Sequence, residues 1–424
     1  MRVLLSDGSG LTARQVATQL SVAGHGVEAL APDRLSLSRF TRHVRRVHRV
    51  PVYGDQPFAW LDTALAIYQE GHFDVLFPTH EQVAVLSRFA ERLQSLGVAT
   101  AVPAFDALAK LQDKRAAFAT LAAVGIPQPS TVVVNSADEL KKWKRLPAFL
   151  KTPIGTASNG VRYVADPSEV ANVASTWQAD GVFDDGGVLI QAPVAGQLIM
   201  VQSIFSQGRL VASHANLRVR EGTRGGASHK KSVDLPAVRE HLAALGGALR
   251  WHGALSADAI LTNAGPVYID INPRLVEPGN GWRAGVDLVT PLLDLALTKT
   301  PFTQPSGKAG TATHQMLLAV GRAAQTGHPR RATFSEFVLA ARHRKSYRDS
   351  AEELTPVHRD LPCAVFLGAA ALVTAIRPTM WRTLSSRSVT NYALTPAAWR
   401  SIVSGSALDT VGALADSHVG QPKE

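Results

Sequence analysis

The stretch Tyr268-Ile-Asp-Ile-Asn-Pro-Arg274 decides the fold that this sequence predicts. It places an acid, an amide and a cation at alternate positions of an apolar, β-branched run. Because side chains alternate between the two faces of a strand, we expect Asp270, Asn272 and Arg274 to share one face. Polar groups aligned in this way indicate either a binding face or an ordinary solvated strand.

A second strand-like run, Gly253–Leu261, precedes this stretch and carries Asp258. The segment Thr262–Pro266 between the two runs is rich in turn-forming residues, so the sequence predicts a hairpin. The hairpin would bring Asp258 beside Asp270. Two carboxylates and an amide oxygen at one place suit Mg²⁺, a hard cation that keeps phosphate oxygens among its ligands. Arg274 adds a planar set of donors for a carboxylate or a phosphate.

The length and composition narrow the class of protein. A chain of 424 residues is expected to contain roughly two to four domains. Its single cysteine, Cys363, excludes an internal disulfide framework and a cysteine-based zinc site, and a reducing cytoplasm is the expected location. The first residues read as a strand and not as a signal peptide. The formal charge of +10 predicts attraction to anions, but the basic residues lack the patterns of nucleic-acid-binding folds, so no specific nucleic acid is expected.

Residues 1–105 alternate strand and helix patterns, which indicates a parallel, doubly wound sheet. The first turn, Asp7–Thr12, is rich in glycine but lacks the Gly-x-Gly-x-x-Gly pattern. This absence argues against a dinucleotide-dependent oxidoreductase. The arginine-rich segment Arg34–Arg49 is interpreted as the solvated face of a helix.

The pattern is weaker after residue 305. The segment Cys363–Ile376 is apolar over 14 residues. A bilayer-crossing helix needs roughly 20, so a buried helix is predicted. The flanking Arg359, Arg377, Arg382 and Arg387 leave weak association with a membrane surface open.

Four elements along the chain share an order that resembles the ATP-grasp superfamily, in the branch with biotin carboxylase, carbamoyl-phosphate synthetase and the carboxylate–amine ligases. They are Lys114 in Gln-Asp-Lys-Arg, Lys151 before a glycine-rich loop, Gln191-Ala-Pro-Val194, and Asp258 followed by Asp270-x-Asn272-x-Arg274. The resemblance covers residues 1–300. The Asp-x-Asn-Pro-Arg stretch with its upstream acid is the most specific part.

The resemblance implies a role for each matched position. Two lysines at the phosphates, a glycine-rich lid over them and a hinge at the adenine would hold ATP: Lys114, Lys151, Gly155, Thr156, Ser158, Gly160, Gln191, Ala192 and Val194. The ligands of Mg²⁺, or of Mn²⁺ in its place, would be Asp258, Asp270 and Asn272. Arg274 would steady the transferring phosphoryl group and the acyl phosphate. The sequence departs from many relatives at the hinge, where Gln191 replaces an acid, and in Gly196–Leu198, which offers no carboxylate to the ribose.

Further cations are candidates for the substrate side of the site. The polar segment Arg218–Lys231 is read as a loop that concentrates donors for an anionic substrate, and Arg224 and Lys230 are selected within it. Arg283 follows the metal-binding stretch and could clamp a substrate carboxylate. Glu81 follows a predicted strand of the first domain, where ligands of such sheets gather. Helix capping or a surface role is nevertheless favoured for Glu81.

The predicted fold combines α/β and α+β parts. It has a Rossmann-like N-terminal domain, an ATP-grasp fold of two subdomains and a C-terminal extension. The boundaries are 1–105 for the first domain, 106–305 for the ATP-grasp domain (lid about 106–187, Mg/ATP subdomain about 188–305) and 306–424 for the extension.

The implied function is that of an ATP-dependent ligase. It would join a small-molecule carboxylate to an amine through an acyl phosphate, releasing ADP and phosphate, in the cytoplasm and as a homodimer. Two alternatives stay open. One is a bicarbonate-activating component of a carboxylase or carbamoyl-phosphate-like system, and the other is a non-catalytic ATP-binding protein associated with a membrane surface.

Overall fold

The computed structural model describes residues 1–156, 159–184, 186–354 and 359–405, with the backbone alone at 383–387. Within these residues the strands form three sheets, and helices cover them. No helix among the described residues is long and apolar enough to cross a membrane.

The first sheet is parallel and has the strand order β3-β2-β1-β4. Strands β1 and β2 are almost wholly buried, as expected for a sheet that helices cover. The order reverses beside β1, so the crevice at the carboxyl ends of β1 and β4 is a topological switch point. The elements are β1 Arg2–Leu5, α1 Leu11–Val22, β2 Gly26–Ala31, β3 Arg46–Arg49, α2 Pro57–Glu70, β4 Val75–Phe77, α3 Val83–Arg88 and α4 Ala90–Ser95.

The second sheet is antiparallel, with the order β5-β8-β6-β7. One of its faces packs on two helices through a core that includes Leu140, Val170 and Trp177. The elements are α5 Phe105–Gln112, α6 Lys114–Val124, β5 Thr131–Val134, α7 Ala137–Lys141, β6 Ala148–Lys151, β7 Val161–Val164, α8 Pro167–Ala179 and β8 Val188–Gln191. Asp113 caps α6 by accepting from the backbone N–H groups of Arg115 and Ala116, which fixes the start of the helix at Lys114.

The third sheet has the order β13-β12-β9-β10-β11-β14-β15. The predicted hairpin is confirmed as β12 and β13, paired antiparallel across a short turn. Strands β14 and β15 follow residue 305 and extend the same sheet. The elements are β9 Gln197–Ser206, β10 Arg209–Glu221, β11 Ala227–Val233, α9 Pro236–Leu249, β12 Gly253–Thr262, β13 Gly265–Asn272, α10 Gly279–Arg283, α11 Thr290–Ala296, β14 Ala312–His314 and β15 Ser350–Glu352.

The C-terminal helices are α12 Met316–Ala323, α13 Pro329–Ala341, α14 Leu361–Ile376, α15 Met380–Tyr392 and α16 Pro396–Ser404. Short 3₁₀ turns lie at Leu37–Arg39, Thr223–Gly225 and Lys345–Tyr347.

Three local predictions are wrong. The segment Arg34–Arg49 is not a helix: it contains a 3₁₀ turn and ends in strand β3, whose backbone pairs with β2. The segment Arg218–Lys231 is not a loop, because it forms the end of β10, a 3₁₀ turn and most of β11. Polar side chains there belong to strands, so polarity alone misled the interpretation. Cys363–Ile376 is a helix, but one side of it is exposed to solvent.

Candidate functional site

The hairpin β12–β13 brings the predicted metal ligands together. Asp258 lies opposite Asp270 in the antiparallel register, and Ser256 lies opposite Asn272. All four residues therefore occupy one face of the sheet. The hydroxyl of Ser256 donates to the carbonyl of Arg274 at 2.9 Å, which ties the chain after β13 back to the hairpin.

The electrostatics of this pair fit a divalent cation. Desolvation and the neighbouring carboxylate of Asp270 raise the pKa of Asp258 to about 7, although Lys151 and Arg274 oppose the shift. Two carboxylates held together repel each other, and a cation between them relieves that repulsion. Among the described residues, no group of three or more His, Cys, Asp or Glu could hold a metal ion. Asn272 lies on the same face of β13 as Asp270, and its amide oxygen with the two carboxylates would make a donor set that suits Mg²⁺.

Two lysines face the hairpin: Lys114 at the start of α6 and Lys151 at the end of β6. The ammonium of Lys114 lies 4.0 Å from a carboxylate oxygen of Asp270 and donates to the carbonyl of Gly155 at 3.2 Å. The ammonium of Lys151 donates to the carbonyl of Ile269 at 2.6 Å. Burial lowers the pKa of Lys151, while Asp270 acts in the opposite direction. The two predicted phosphate lysines are thus within reach of one point near Asp270.

The glycine-rich loop joins β6 and β7 and is built around positions that exclude a side chain. A Cβ on Gly155 would lie 2.1 Å from the carbonyl oxygen of Asn159. Gly160 has a φ of +82°, and a Cβ there would lie 2.0 Å from the hydroxyl of Thr152. Ser158 lies outside the described residues. Glycine is required at both positions because a Cβ atom would clash with these neighbours. A backbone without side chains can also leave its N–H groups open to a bound anion.

Arg274 is fixed by a residue from the first sheet. Its Nε donates to a carboxylate oxygen of Glu81 at 3.0 Å, and both side chains are buried. Burial would lower the pKa of Arg274, but the charge and hydrogen bond of Glu81 and the charge of Asp270 raise it, so the guanidinium is charged. The hydroxyl of Thr156 in the glycine-rich loop donates to the same oxygen of Glu81 at 3.2 Å.

The surface or capping role favoured for Glu81 is therefore wrong. Glu81 follows β4 at the switch point of the parallel sheet. That position was the available signal in the sequence. Its partner Arg274 lies 193 residues further along the chain, so a local pattern could not identify the pair.

The predicted adenine hinge follows β8. The amide of Gln191 donates to the hydroxyl of Thr131 at 3.4 Å, and the side chain is buried. The N–H of Ala192 donates to the carbonyl of Ser130 at 2.9 Å, which continues the pairing of β5 with β8 by one residue. Gln191 thus lies at the end of an interior strand, between β5 and β6, and the chain beyond Ala192 leads through Val194 towards the third sheet.

Lys230 lies in a buried group of charges that the sequence did not indicate. Its ammonium pairs with Glu277 and with Glu353, the latter at 2.8 Å, and its side chain has no exposed surface. Burial acts to lower the pKa of Lys230, but the two carboxylates raise it. The amide of Gln315 donates to both carboxylates, and the amide of Gln15 donates to Glu353. This cluster joins α1, β11 and the chain after β15 beneath the functional face.

Arg224 and Arg283 lie further from the carboxylate pair. Arg224 is exposed in the 3₁₀ turn that follows β10, and this turn packs against α12. The β10 residue in line with Asp258 is Asn216, and the remaining residues to Glu221 span about 17 Å of strand. Arg283 ends α10 with its guanidinium 5.5 Å from the ring centroid of Trp282. The structure brings neither arginine to the hairpin as it brings Lys114 and Lys151.

The C-terminal region contributes a side to the site that sequence reasoning missed. The ring of Tyr392 stacks on His80, with 3.9 Å between ring centroids. Next to it, the amide of Asn391 donates to the hydroxyl of Ser9 at 3.1 Å. The N–H of Leu394 donates to the hydroxyl of Thr156 at 3.4 Å. This segment therefore spans the switch point and the glycine-rich loop.

Several solved structures have a fold similar to that of this chain. No protein-family model and no curated protein sequence matches the chain. The biotin carboxylase domain of the Hydrogenobacter thermophilus 2-oxoglutarate carboxylase, solved as a dimer with MgADP, ADP and bicarbonate, aligns with a TM-score of 0.59 and 17% identity over 73% of each chain. N5-carboxyaminoimidazole ribonucleotide synthetase from Thermus thermophilus aligns with a TM-score of 0.55 and 18% identity, over 74% of this chain and 82% of that one.

A third similar structure is that of a ligase. The L-amino acid ligase from Bacillus licheniformis aligns with a TM-score of 0.54 and 14% identity, over 71% of this chain and 75% of that one. The chain therefore has the ATP-grasp fold, as the order of its sequence motifs predicted.

Proposed function

We propose that this protein is an ATP-dependent ligase that joins a carboxylate to an amine and releases ADP and phosphate. The observation that carries the proposal is the facing pair Asp258–Asp270, with Lys114 and Lys151 close to it and Arg274 held beside it. The two carboxylates can bind a divalent cation, and the adjacent lysines and arginine can bind anionic groups of a ligand. The nucleotide and Mg²⁺ found in a biotin carboxylase of the same fold support this assignment.

Each residue has a part in holding the nucleotide. Lys114 and Lys151 would neutralise phosphate oxygens, and the loop from Gly155 to Gly160 would cover them with backbone N–H groups. Because the N–H of Ala192 is already bonded to Ser130, the adenine would be met by the carbonyl of Ala192 and the backbone of Val194. Mg²⁺ held by the hairpin carboxylates and the amide of Asn272 would neutralise the β- and γ-phosphates.

The chemistry needs alignment and charge neutralisation and no protein nucleophile. An oxygen of the substrate carboxylate attacks the γ-phosphorus, and the bond to the β-phosphate oxygen breaks to give ADP and an acyl phosphate. The amine then attacks the acyl carbon, phosphate leaves and the amine proton passes to solvent. Arg274, fixed by Glu81, would stabilise negative charge on the phosphoryl group and on the acyl phosphate.

We retain the domain boundaries of the sequence analysis as part of the proposal, with residues 1–105 as a Rossmann-like domain. A cytoplasmic location and a homodimer stay predictions.

Bicarbonate is the alternative acid, because the biotin carboxylase domain of the same fold was solved with bicarbonate bound. Both versions of the reaction release ADP, so the acid can be identified in a single assay.

Binding of the nucleotide is tested by thermal unfolding with Mg²⁺ and a non-hydrolysable ATP analogue. A ligand of the native state at a hundred times its Kd stabilises by about 2.7 kcal/mol, which raises the unfolding temperature. We expect this rise in the wild type and its loss in Lys151→Ala and Asp270→Asn. The exposed Lys144→Ala is the matched control and should behave as the wild type.

Turnover is tested by ADP release with pools of acids and amines, and with bicarbonate. Hydroxylamine in place of the amine should trap the acyl phosphate as a hydroxamate. A wild type that the analogue does not stabilise would refute nucleotide binding. Stabilisation without ADP release from any pool would instead favour the non-catalytic alternative.

A further inference from the structure

Helix α14 is apolar on two sides, and the described residues of the protein cover only one of them. Cys363, Leu367 and Ala371 on the covered side are buried. On the opposite side a stripe of exposed aliphatic residues recurs every three or four positions, with Leu361 at 72%, Val365 at 63% and Leu372 at 61% exposure. The full stripe, called the α14 stripe below, is Leu361, Val365, Ala369, Leu372, Val373 and Ile376. Such spacing places all of its members on one face of the helix.

Helix α13 packs against α14 and carries exposed aromatic residues of its own. Phe334 and Phe337 are three residues apart, so they share a face of α13, and both are exposed. A group of exposed apolar side chains on neighbouring helices is a candidate binding surface. The two helices are therefore treated as one surface.

Exposed cations lie at or near the ends of α13 and α14 and at the start of α15, and together they are called the rim below. They are Arg330, Arg331, Arg342, Arg344, Lys345, Arg348, Arg359, Arg377 and Arg382. The acids of the same segment are mostly engaged inside the protein: Glu336 pairs with Arg220, Glu353 with Lys230 and Asp360 with Arg14. Asp349 is the exposed acid among the described residues of this segment. The rim is consequently strongly positive.

The sign of the rim distinguishes between two occupants of the apolar surface. A second copy of the chain would bring an equally positive rim against the first, and like charges would repel. An anionic lipid surface attracts the rim and accepts the apolar stripe at the boundary between headgroups and acyl chains. No described helix is long and apolar enough to span the membrane, which agrees with a helix that lies in the interface.

We propose that α13 and α14 form a docking surface for an anionic lipid membrane, with the α14 stripe inserted at the interface and the arginine rim on the headgroups. This inference does not depend on the proposed ligase reaction. Attachment of this kind is reversible and weakens with salt, because much of the attraction is electrostatic.

Vesicle flotation tests the proposal with the whole chain. We expect wild type to float with vesicles of phosphatidylcholine and phosphatidylglycerol, and to float far less with phosphatidylcholine alone or at high salt. The fraction of the double variant Val365→Asp/Leu372→Asp that floats with anionic vesicles should be at least about tenfold lower than that of the wild type. Val22→Asp, at an exposed apolar position of α1, is the matched control and should bind as wild type. A cooperative thermal unfolding transition like that of the wild type shows that each variant is folded.

Several outcomes would overturn the proposal. No flotation of wild type with anionic vesicles would do so directly, and equal flotation with neutral vesicles would remove the role of the rim. A dimer in solution that Val365→Asp/Leu372→Asp dissociates would make a second copy the occupant. Flotation only after removal of residues 406–424 would make the chain's own terminus the occupant.

Discussion

Metal binding at the hairpin should depend steeply on pH between 6 and 8. The reason is the pKa of Asp258, which desolvation and the charge of Asp270 raise to about 7. A metal ligand must be a carboxylate, so binding of the ion has to displace the proton that Asp258 carries below that pKa. The affinity for the ion should therefore fall as the pH decreases through 7 and should level off above it.

The magnitude follows from the pKa. At pH 6 about one Asp258 in eleven is ionised, and at pH 8 about ten in eleven are. The apparent affinity should therefore differ about tenfold between these two pH values. The same shift has a second consequence for the metal-free protein. Since the folded pKa lies above the ordinary value of 3.8, the folded state holds the extra proton, and stability falls as pH rises from about 4 to about 7.

Electron paramagnetic resonance of Mn²⁺ provides the assay, because the free ion gives a signal that binding removes. Titrations without nucleotide at several pH values avoid the ionisation of the nucleotide itself. Asp258→Asn removes the titrating carboxyl and should give weak binding with little change over this range. The reasoning is refuted if the wild-type affinity is the same at pH 6 and pH 8, or if Asp258→Asn retains the wild-type slope.

Three substitutions test the supports of the site. Glu81→Gln leaves the buried guanidinium of Arg274 without its counter-charge, so the unfolding temperature and the rate of ADP release should both fall. Lys230→Met leaves the carboxylate of Glu353 buried without a cation and should lower the free energy of unfolding by about 3–5 kcal/mol, read from urea denaturation. Gly160→Ala needs a strained φ and meets the neighbouring threonine, so stabilisation by the ATP analogue should be lost.

Each of these changes has a matched control on the surface. The controls are Glu91→Gln, Lys231→Met and Gly247→Ala, the last in a helix with open space at the added Cβ. Glu81→Gln with unchanged rate and unfolding temperature would show that Arg274 does not need the charge. A urea midpoint of Lys230→Met equal to that of Lys231→Met would show that the buried cluster adds no stability. Wild-type nucleotide binding by Gly160→Ala would exclude close approach of this loop to the phosphates.

The sequence predicts the elements of the site whose chemistry is local. The alternation of Asp270 and Asn272 in a strand follows from a period of two residues, and the turn after Thr262 sets the hairpin register as far as Ala259 opposite Tyr268. In both cases the residues that determine the structure are neighbours in the chain. A register shift of one residue beyond that pair, which the sequence does not predict, brings Asp258 opposite Asp270.

The sequence does not predict pairings between distant segments. Glu81 and Arg274 meet across two sheets, and Lys230 meets Glu353 across 123 residues. No period or motif relates such positions. Strand β3 was missed for a different reason: its arginines lie at the edge of the parallel sheet, where charged side chains are tolerated and helix and strand patterns look alike.

The hydroxyl of Thr156 shows how the distant segments act together. It donates to Glu81 of the first sheet and accepts from the N–H of Leu394 of the C-terminal region. The same oxygen of Glu81 holds Arg274, so the glycine-rich loop and the arginine share one support. Movement of the loop away from this position would break the hydrogen bonds of Thr156 to Glu81 and to Leu394. The position of the loop is thus coupled to that of Arg274 through buried hydrogen bonds, and all three segments must assemble before the site is complete.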